Sequence, residues 1–171
     1  MKSLNANDWL LSPQSFPGFE RHEIRAHEQR GAQIHHTEWL HFKVPRRYAL
    51  VNVTEQIESV INRSQVHDGL CFISAMHITS GVYVNDAESG LLQDIAGWLN
   101  GLAPFGRNYL HHQTGEDNAD AHLKSFLTNH CLTAPITHGQ LDFGTWQQIF
   151  YGEYDGNRPK RLLVKVIGIS N

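Results

Sequence analysis

Residues 70–85, LCFISAMHITSGVYVN, form the longest β-rich run in the chain. Read as an alternating strand, the run has two unlike faces. Cys71, Ile73, Ala75, His77, Thr79 and Tyr83 fall on one; Leu70, Phe72, Ser74, Met76, Ile78, Val82 and Val84 fall on the other. His77 thereby shares a face with small and hydroxyl side chains, which leaves room for a ligand.

Upstream, residues 34–44 (IHHTEWLHFKV) set Ile34, Trp39, Phe42 and Val44 among polar residues, the pattern of a strand or hairpin pair. NVTEQIESVINRS (52–64) reads as a helix that Asn52 or Thr54 can cap, with Val53, Ile57, Val60 and Ile61 as its apolar stripe. Downstream, DAESGLLQDIAGWLNGLAP (86–104) is a second helix. Leu91, Ile95, Trp98, Leu99 and Leu102 keep helical spacing, Asp86 and Glu88 suit its N-terminus, and Pro104 stops it. A polar loop then leads into a short helix over about 120–129. TAPITHG, LDFGTWQQIFYGEY and RLLVKVIGI read as three strands, with Asp155-Gly156 turning into the last. Strands interleaved with two or three helices in 171 residues give a single α+β domain. Residues 1–30 hold Pro13, Pro17 and Gly18 and lack a clean period, so they read as an N-terminal extension to a domain at 31–171. Trp9, Leu10, Leu11, Phe16 and Phe19 give that extension a means of docking.

Composition limits function. A net charge of −3 offers no broad attraction for nucleic acid or an anionic membrane. No stretch nears the roughly 20 apolar residues of a membrane span. The N-terminus lacks the continuous apolar core of a secretory signal, so the cytoplasm is the expected location. Two cysteines, Cys71 and Cys131, both in apolar surroundings, read as reduced and partly buried thiols. Histidine is the anomaly, at twelve residues of 171. Imidazole is the commonest metal ligand and titrates near neutrality, so the excess directs attention to a site.

Three histidines stand out by setting: His77 mid-strand, His111 at the end of a short strand-like segment, and His122 opening a helix. Brought together, they could hold zinc or a similar divalent ion such as magnesium with an open coordination position. The bland alternative is a satisfied buried His77 with the other two in loops. The spacing matches no standard zinc motif. His112 would point away from His111 in an extended segment. Asp117, Asn118 and Asp120 could orient the imidazoles or hold a second cation, or form a solvated turn. Lys124 and Ser125, near a helix start, could take a phosphate. Gly144, in a presumed strand, suggests a bulge. Trp146 is either a wall for a ring substrate or a core residue. Arg158 and Arg161 could clamp phosphate oxygens or serve as surface charge. Walker, GxGxxG, GxSxG and HExxH motifs are all missing from the sequence.

Taken together, HITSG–VYVND (77–86), WLNGLAP (98–104), YLHH (109–112), GEDNADAHLKS (115–125), APITHGQLDFGTWQQI (134–149), GEYDG (152–156) and KRLLVKVIG (160–168) resemble the YjbQ family, also called UPF0047. The likeness runs from about residue 30 to 169. It implies mostly antiparallel strands packed as a sandwich, a homotrimer, and a pocket near the subunit interface. Family positions fall on His77, His111 and His122 as pocket histidines and metal ligands, with Lys124 beside them. They also fall on Thr79, Ser80, Trp146, Gln147 and Arg158 as substrate contacts. The implied activity is that of a thiamine-phosphate synthase, a transferase joining a thiazole phosphate to a hydroxymethyl-pyrimidine diphosphate. A metal-dependent hydrolase of a phosphorylated substrate and a non-catalytic binding trimer are the alternatives. Asp86 stands where the family often has Glu, which weakens any ligand role there.

Overall fold

The computed structural model describes Trp9, Leu11, residues 18–30 and residues 32–170. Strand alternation is clearest in β2 (Gln33–Lys43), where Ile34, His36, Glu38, Leu40 and Phe42 all turn inward. This strand pairs with β1 (Arg21–Arg30) on one side and β9 (Pro159–Ile169) on the other. The sheet continues through β4 (Asp68–Ala75), β6 (Cys131–Thr137) and the short β7 (Gln140–Leu141) in the order β1-β2-β9-β4-β6-β7. A second sheet is made of β3 (Ala49–Asn52), β8 (Gln148–Glu153) and β5 (Ser80–Asn85), in the order β3-β8-β5. All these pairings are antiparallel. The fold is α+β, with two antiparallel sheets and three α-helices among the described residues: α1 (Thr54–Ser64), α2 (Ser89–Leu102) and α3 (Ala119–Thr128).

The main core lies between the sheets. Leu40, Phe42, Ile73, Leu162 and Val164 from the large sheet meet Val51, Val82, Ile149 and Tyr151 from the small one, and Ile57, Val60 and Ile61 of α1 join them. Burying each such side chain stabilises the fold by about 1.5–3 kcal/mol. The other face of the small sheet packs through Tyr48, Leu50 and Tyr154 against Ala96 and Leu99 of α2 and Ala121 of α3, with Trp9 stacked on Tyr48 at 4.6 Å. The structure is therefore three layers deep.

The start of α2 follows the sequence, whereas α1 has Val53 at its N-cap and Asn52 one residue ahead of it. Asn52 Oδ1 accepts from the Thr54 backbone N–H at 3.0 Å, and Glu88 accepts from Gly90 and Leu91 N–H at 2.7 Å each. The α2 stripe is narrower than its spacing suggests. Leu99 is buried and Ile95 packs partly, but Trp98 and Leu102 are exposed.

The run at 70–85 is two strands, not one. The chain leaves the large sheet at Ala75, turns over residues 76–79, and enters the small sheet at Ser80. Backbone N–H groups of Ala75 and Met76 still bond to His130 and Arg161, while Ser80 N–H closes on His77 O at 3.4 Å. Inward alternation through Cys71, Ile73 and Ala75 gives way after the turn to Val82. His77 and Thr79 thus sit on a corner between two sheets. GTWQ is likewise a turn, with Gln147 N–H bonded to Gly144 O at 2.9 Å, and β8 begins only at Gln148. His111 lies in a 3-10 turn, Leu110–Thr114, and not at a strand end. From Arg21 onward, the segment read as an extension is the sheet's outermost strand.

Candidate functional site

The corner at 76–79 and α3 from His122 onward line an open hollow of about 620 Å³, with His77, Ile78, His122, Ser125, Phe126 and His130 in its walls. Glycine sets the approach of α3 to β5. A Cβ on Gly81 would come within 2.2 Å of Thr128 Oγ1 and 2.7 Å of Asn129 O. Ser125 Oγ donates to Ser80 O at 2.7 Å and fastens the helix to the strand.

His111 and His122 meet edge to face, with ring centroids 4.9 Å apart. Burial and then the neighbouring His111 hold the His122 imidazole below its usual pKa of 6.5, against the opposing pull of Asp155, Glu116 and Asp120. His77 is also held below 6.5, by burial first and then by Lys160, with Arg158 and His122 adding to the effect and Asp155 opposing it. The sequence-selected histidines therefore belong to one electrostatic neighbourhood.

Beneath His77 lies a buried network that no motif announced. The side chains of Lys160 and Glu153 are fully enclosed and pair at 3.0 Å. Lys160 Nζ also donates to Thr79 Oγ1 at 2.9 Å and approaches His77 Nδ1 at 3.2 Å. Burial raises Glu153, while Lys160 and the Asp155 backbone N–H oppose the rise. Its oxygens take hydrogen bonds from Lys160, Tyr151 Oη, and the N–H groups of Tyr154 and Asp155, which favours the carboxylate form.

The remaining expected contacts divide sharply. Thr79 and Ser80 are buried at the corner, with Ser80 Oγ bonded to His77 O at 3.1 Å. Arg158 is half-exposed, 3.4 Å from Asp155 and 3.7 Å from Glu116, and its charge acts on His77. Lys124 is not available to a phosphate: its side chain is fully enclosed, bonded to Asp120 and to Ala103 O at 2.6 Å each, over the Tyr48 ring. Asp117 and Asn118 are also engaged, with Arg47 and Asp155. Trp146 is 72 % exposed and belongs neither to the core nor to this hollow. Register pairs Ser80 with Glu153 and Asn85 with Gln148, so Trp146 and Gln147 lie past the opposite end of the small sheet. Five residues of strand separate the two ends by roughly 17 Å. A cavity of about 270 Å³ at that far end is lined by Leu50, Phe150, Asn52 and Gln56 and holds no cluster of titratable groups comparable to the histidines.

Zinc or magnesium on His77, His111 and His122 was the expected ligand set. Among the described residues, no group of three or more His, Cys, Asp or Glu side chains is arranged to hold a metal ion. The ring of His77 does not fit a ligand role, because its Nδ1 lies against donors from Lys160 and Thr79.

The sequence model described as "UPF0047 protein YjbQ-like" matches residues 38–169. The chain belongs to the YjbQ-like UPF0047 family. A UPF0047 protein of Methanothermobacter thermautotrophicus is 36 % identical over 133 residues, covering 78 % of this chain and 92 % of that one. A second, from Methanocaldococcus jannaschii, is 39 % identical over 127 residues, covering 74 % and 90 %. The crystal structure of a YbjQ-like protein of unknown function from Sulfolobus solfataricus superposes with a TM-score of 0.75 at 30 % identity, covering 80 % of this chain and 99 % of its own. The YjbQ-like match takes in the corner, the 3-10 turn, α3 and the Lys160–Glu153 pair. It begins at Glu38, so β1 and the first half of β2 fall outside it.

Lys160 and Glu153 were visible in the sequence, but only through strand parity. Lys160 shares parity with Leu162, Val164 and Val166, and Glu153 with Ile149 and Tyr151. Opposite charges on two inward faces are a pairing signal, because an unpaired buried charge is too costly to keep.

Proposed function

We propose that this YjbQ-like protein is a transferase of the thiamine-phosphate-synthase type, binding the diphosphate of its substrate in the histidine hollow. One observation carries the reading: His77 and His122 line one open hollow with both imidazoles held below their usual pKa, His111 packs against His122, and the charge of Arg158 acts on His77. Neutral imidazoles offer N–H donors, and a guanidinium offers a fork of them, which suits phosphate oxygens.

In the proposed reaction the thiazole ring nitrogen attacks the methylene carbon of the pyrimidine. The N–C bond forms as the C–O bond to diphosphate breaks, and the diphosphate departs with the electron pair. The step is balanced without a proton transfer. The protein's task is to hold the two rings together and to stabilise charge on the leaving group. In this reading His77 and His122 are the donors for the second task, with the charge of Arg158 adding to them.

The same reading makes the working unit a homotrimer. Ile78, Leu110 and Phe126 are 72 %, 84 % and 86 % exposed. Two of them line the hollow, and Leu110 adjoins His111. Large apolar side chains left bare beside a site suit a neighbouring subunit.

Purified protein given both substrates should release pyrophosphate and form thiamine phosphate, and His122→Ala should lose that activity. The gene should also rescue growth of a strain lacking its own thiamine-phosphate synthase. Failure to form thiamine phosphate overturns the reading. Turnover of a simple phosphate ester without a second substrate would point instead to hydrolysis.

A further inference from the structure

Lysine has three N–H donors and no acceptor. Around Lys160 Nζ stand Glu153 Oε1 at 3.0 Å, Thr79 Oγ1 at 2.9 Å and His77 Nδ1 at 3.2 Å. One N–H is available for each, so the contact with His77 is a donation by Lys160 and its Nδ1 carries a lone pair. Thr79 agrees. Its backbone N–H points at the same nitrogen from 3.3 Å, and its hydroxyl, already accepting from Lys160, lies 2.8 Å away with its own proton to give. A proton on Nδ1 would be thrust against an ammonium. Turning the ring over would set a carbon there and waste every one of these donors.

We propose that Lys160 is a positioning residue that fixes His77 in a single tautomer, proton on Nε2, so that His77 meets its ligand as an N–H donor to an oxygen atom and not as a metal ligand. A neutral imidazole has one N–H and one lone pair. With the lone pair taken up inside the protein, the nitrogen left to face the hollow is the protonated one. Metal binding at Nε2 would require an imidazolate, and general-base work there is closed for the same reason. Donation to an anionic or carbonyl oxygen remains. Glu153 completes the device by anchoring Lys160, and Tyr151 and two backbone N–H groups anchor Glu153 in turn. The inference deepens the diphosphate reading and depends on it only for which oxygen is met.

The test is ¹⁵N NMR of the labelled full chain, with His77 assigned by its loss in His77→Gln. Between about pH 6.5 and 8 the wild-type ring should show an unprotonated Nδ1 and a protonated Nε2, unchanged by added zinc. Lys160→Met should turn this single state into a mixture of tautomers, a change that a purely structural role for Lys160 would not produce. A protonated Nδ1 in the wild type, or loss of the Nε2 proton to zinc, overturns the proposal. Both results come from the wild-type protein and stand even where Lys160→Met fails to fold. Inorganic pyrophosphate should shift the Nε2–H resonance. A ring that keeps the expected tautomer while the protein binds no pyrophosphate sustains this inference and sinks the diphosphate reading alone.

Discussion

Lys124 and Asp120, one turn apart on α3, form a 2.6 Å ion pair in which both side chains are shut off from solvent. Asp120 also accepts from Tyr48 Oη at 2.6 Å, and Lys124 spends a second proton on Ala103 O. This is a joint between α3, the end of α2 and the small sheet. Lys124→Ala should therefore destabilise the fold by about 3–5 kcal/mol, the cost of stranding a buried carboxylate. Chemical denaturation measures the loss. At a temperature where the variant stays folded, pyrophosphate affinity should be unchanged, because Lys124 does not reach the hollow.

Acid should weaken the fold partly through Glu38. Burial raises this carboxyl, but the Arg63 hydrogen bond and charge more than offset the rise, leaving it below 4.5. A folded pKa below the unfolded one gives stability that is complete above about 4.5 and fades as pH falls through the folded value. Urea unfolding from neutral pH down to about pH 3 should show this decline in the wild type and a flatter acid limb in Glu38→Gln. At neutral pH the variant should lose about 1–3 kcal/mol.

The hollow should carry its own acid signature. The folded pKa values of His77 and His122 lie below 6.5, so the unfolded chain binds more protons between the two values. Their contribution to stability therefore falls as pH drops from 6.5 to the folded pKa and is level beyond. Under the proposed reaction, kcat/KM should hold through neutrality and fall only below pH 6.5, as the rings take on charge. An acid limb centred above 6.5 would show that these two rings do not govern it.

Trp146→Ala should be nearly silent at this site. The ring is mostly exposed and lies past the other end of the small sheet, so stability should change by no more than about 0.5 kcal/mol. Pyrophosphate binding followed by calorimetry should match the wild type. A tenfold loss would show that Trp146 comes to the hollow from another subunit.

Phe126→Asp should separate subunits without unfolding them, since the side chain is 86 % exposed within one chain. Sedimentation should report a trimer for the wild type and smaller species for the variant, with an unchanged far-ultraviolet spectrum.

Much of this was legible in the chain. The alternating runs of β2 and β9 were recognised as strands, Ile34, Phe42 and Val44 were rightly taken as apolar anchors, the acidic start of α2 places Glu88 at its N-terminus, and His111 and His122 do pack together. What failed has a common physical cause. Period-2 patterning describes a strand but not the sheet it belongs to, so a corner at 76–79 passed for strand interior, and Trp146 was assigned to a pocket at the wrong end. Lys124 sat in a motif rich in polar residues, whose composition suggests solvent although Asn118, Asp120 and Ser125 are buried with it. Only the packing of Tyr48, Asp120 and Ala103 around it reveals a structural cation. The Lys160–Glu153 pair demanded knowing that β8 and β9 turn their inward faces to the same layer.

Among the described residues strand β1 has one neighbour, and its ten residues, RHEIRAHEQR, carry five formal charges and two histidines along the far edge of the sheet. An unpaired edge is where one sheet recruits another, and alternating charge discourages that recruitment. Because, among the described residues, β1 pairs only with β2 and lies ahead of the family match, it can be gained or lost without disturbing the hollow. It serves as a guard rail, ending the sheet in a rim on which further strands find it hard to grow.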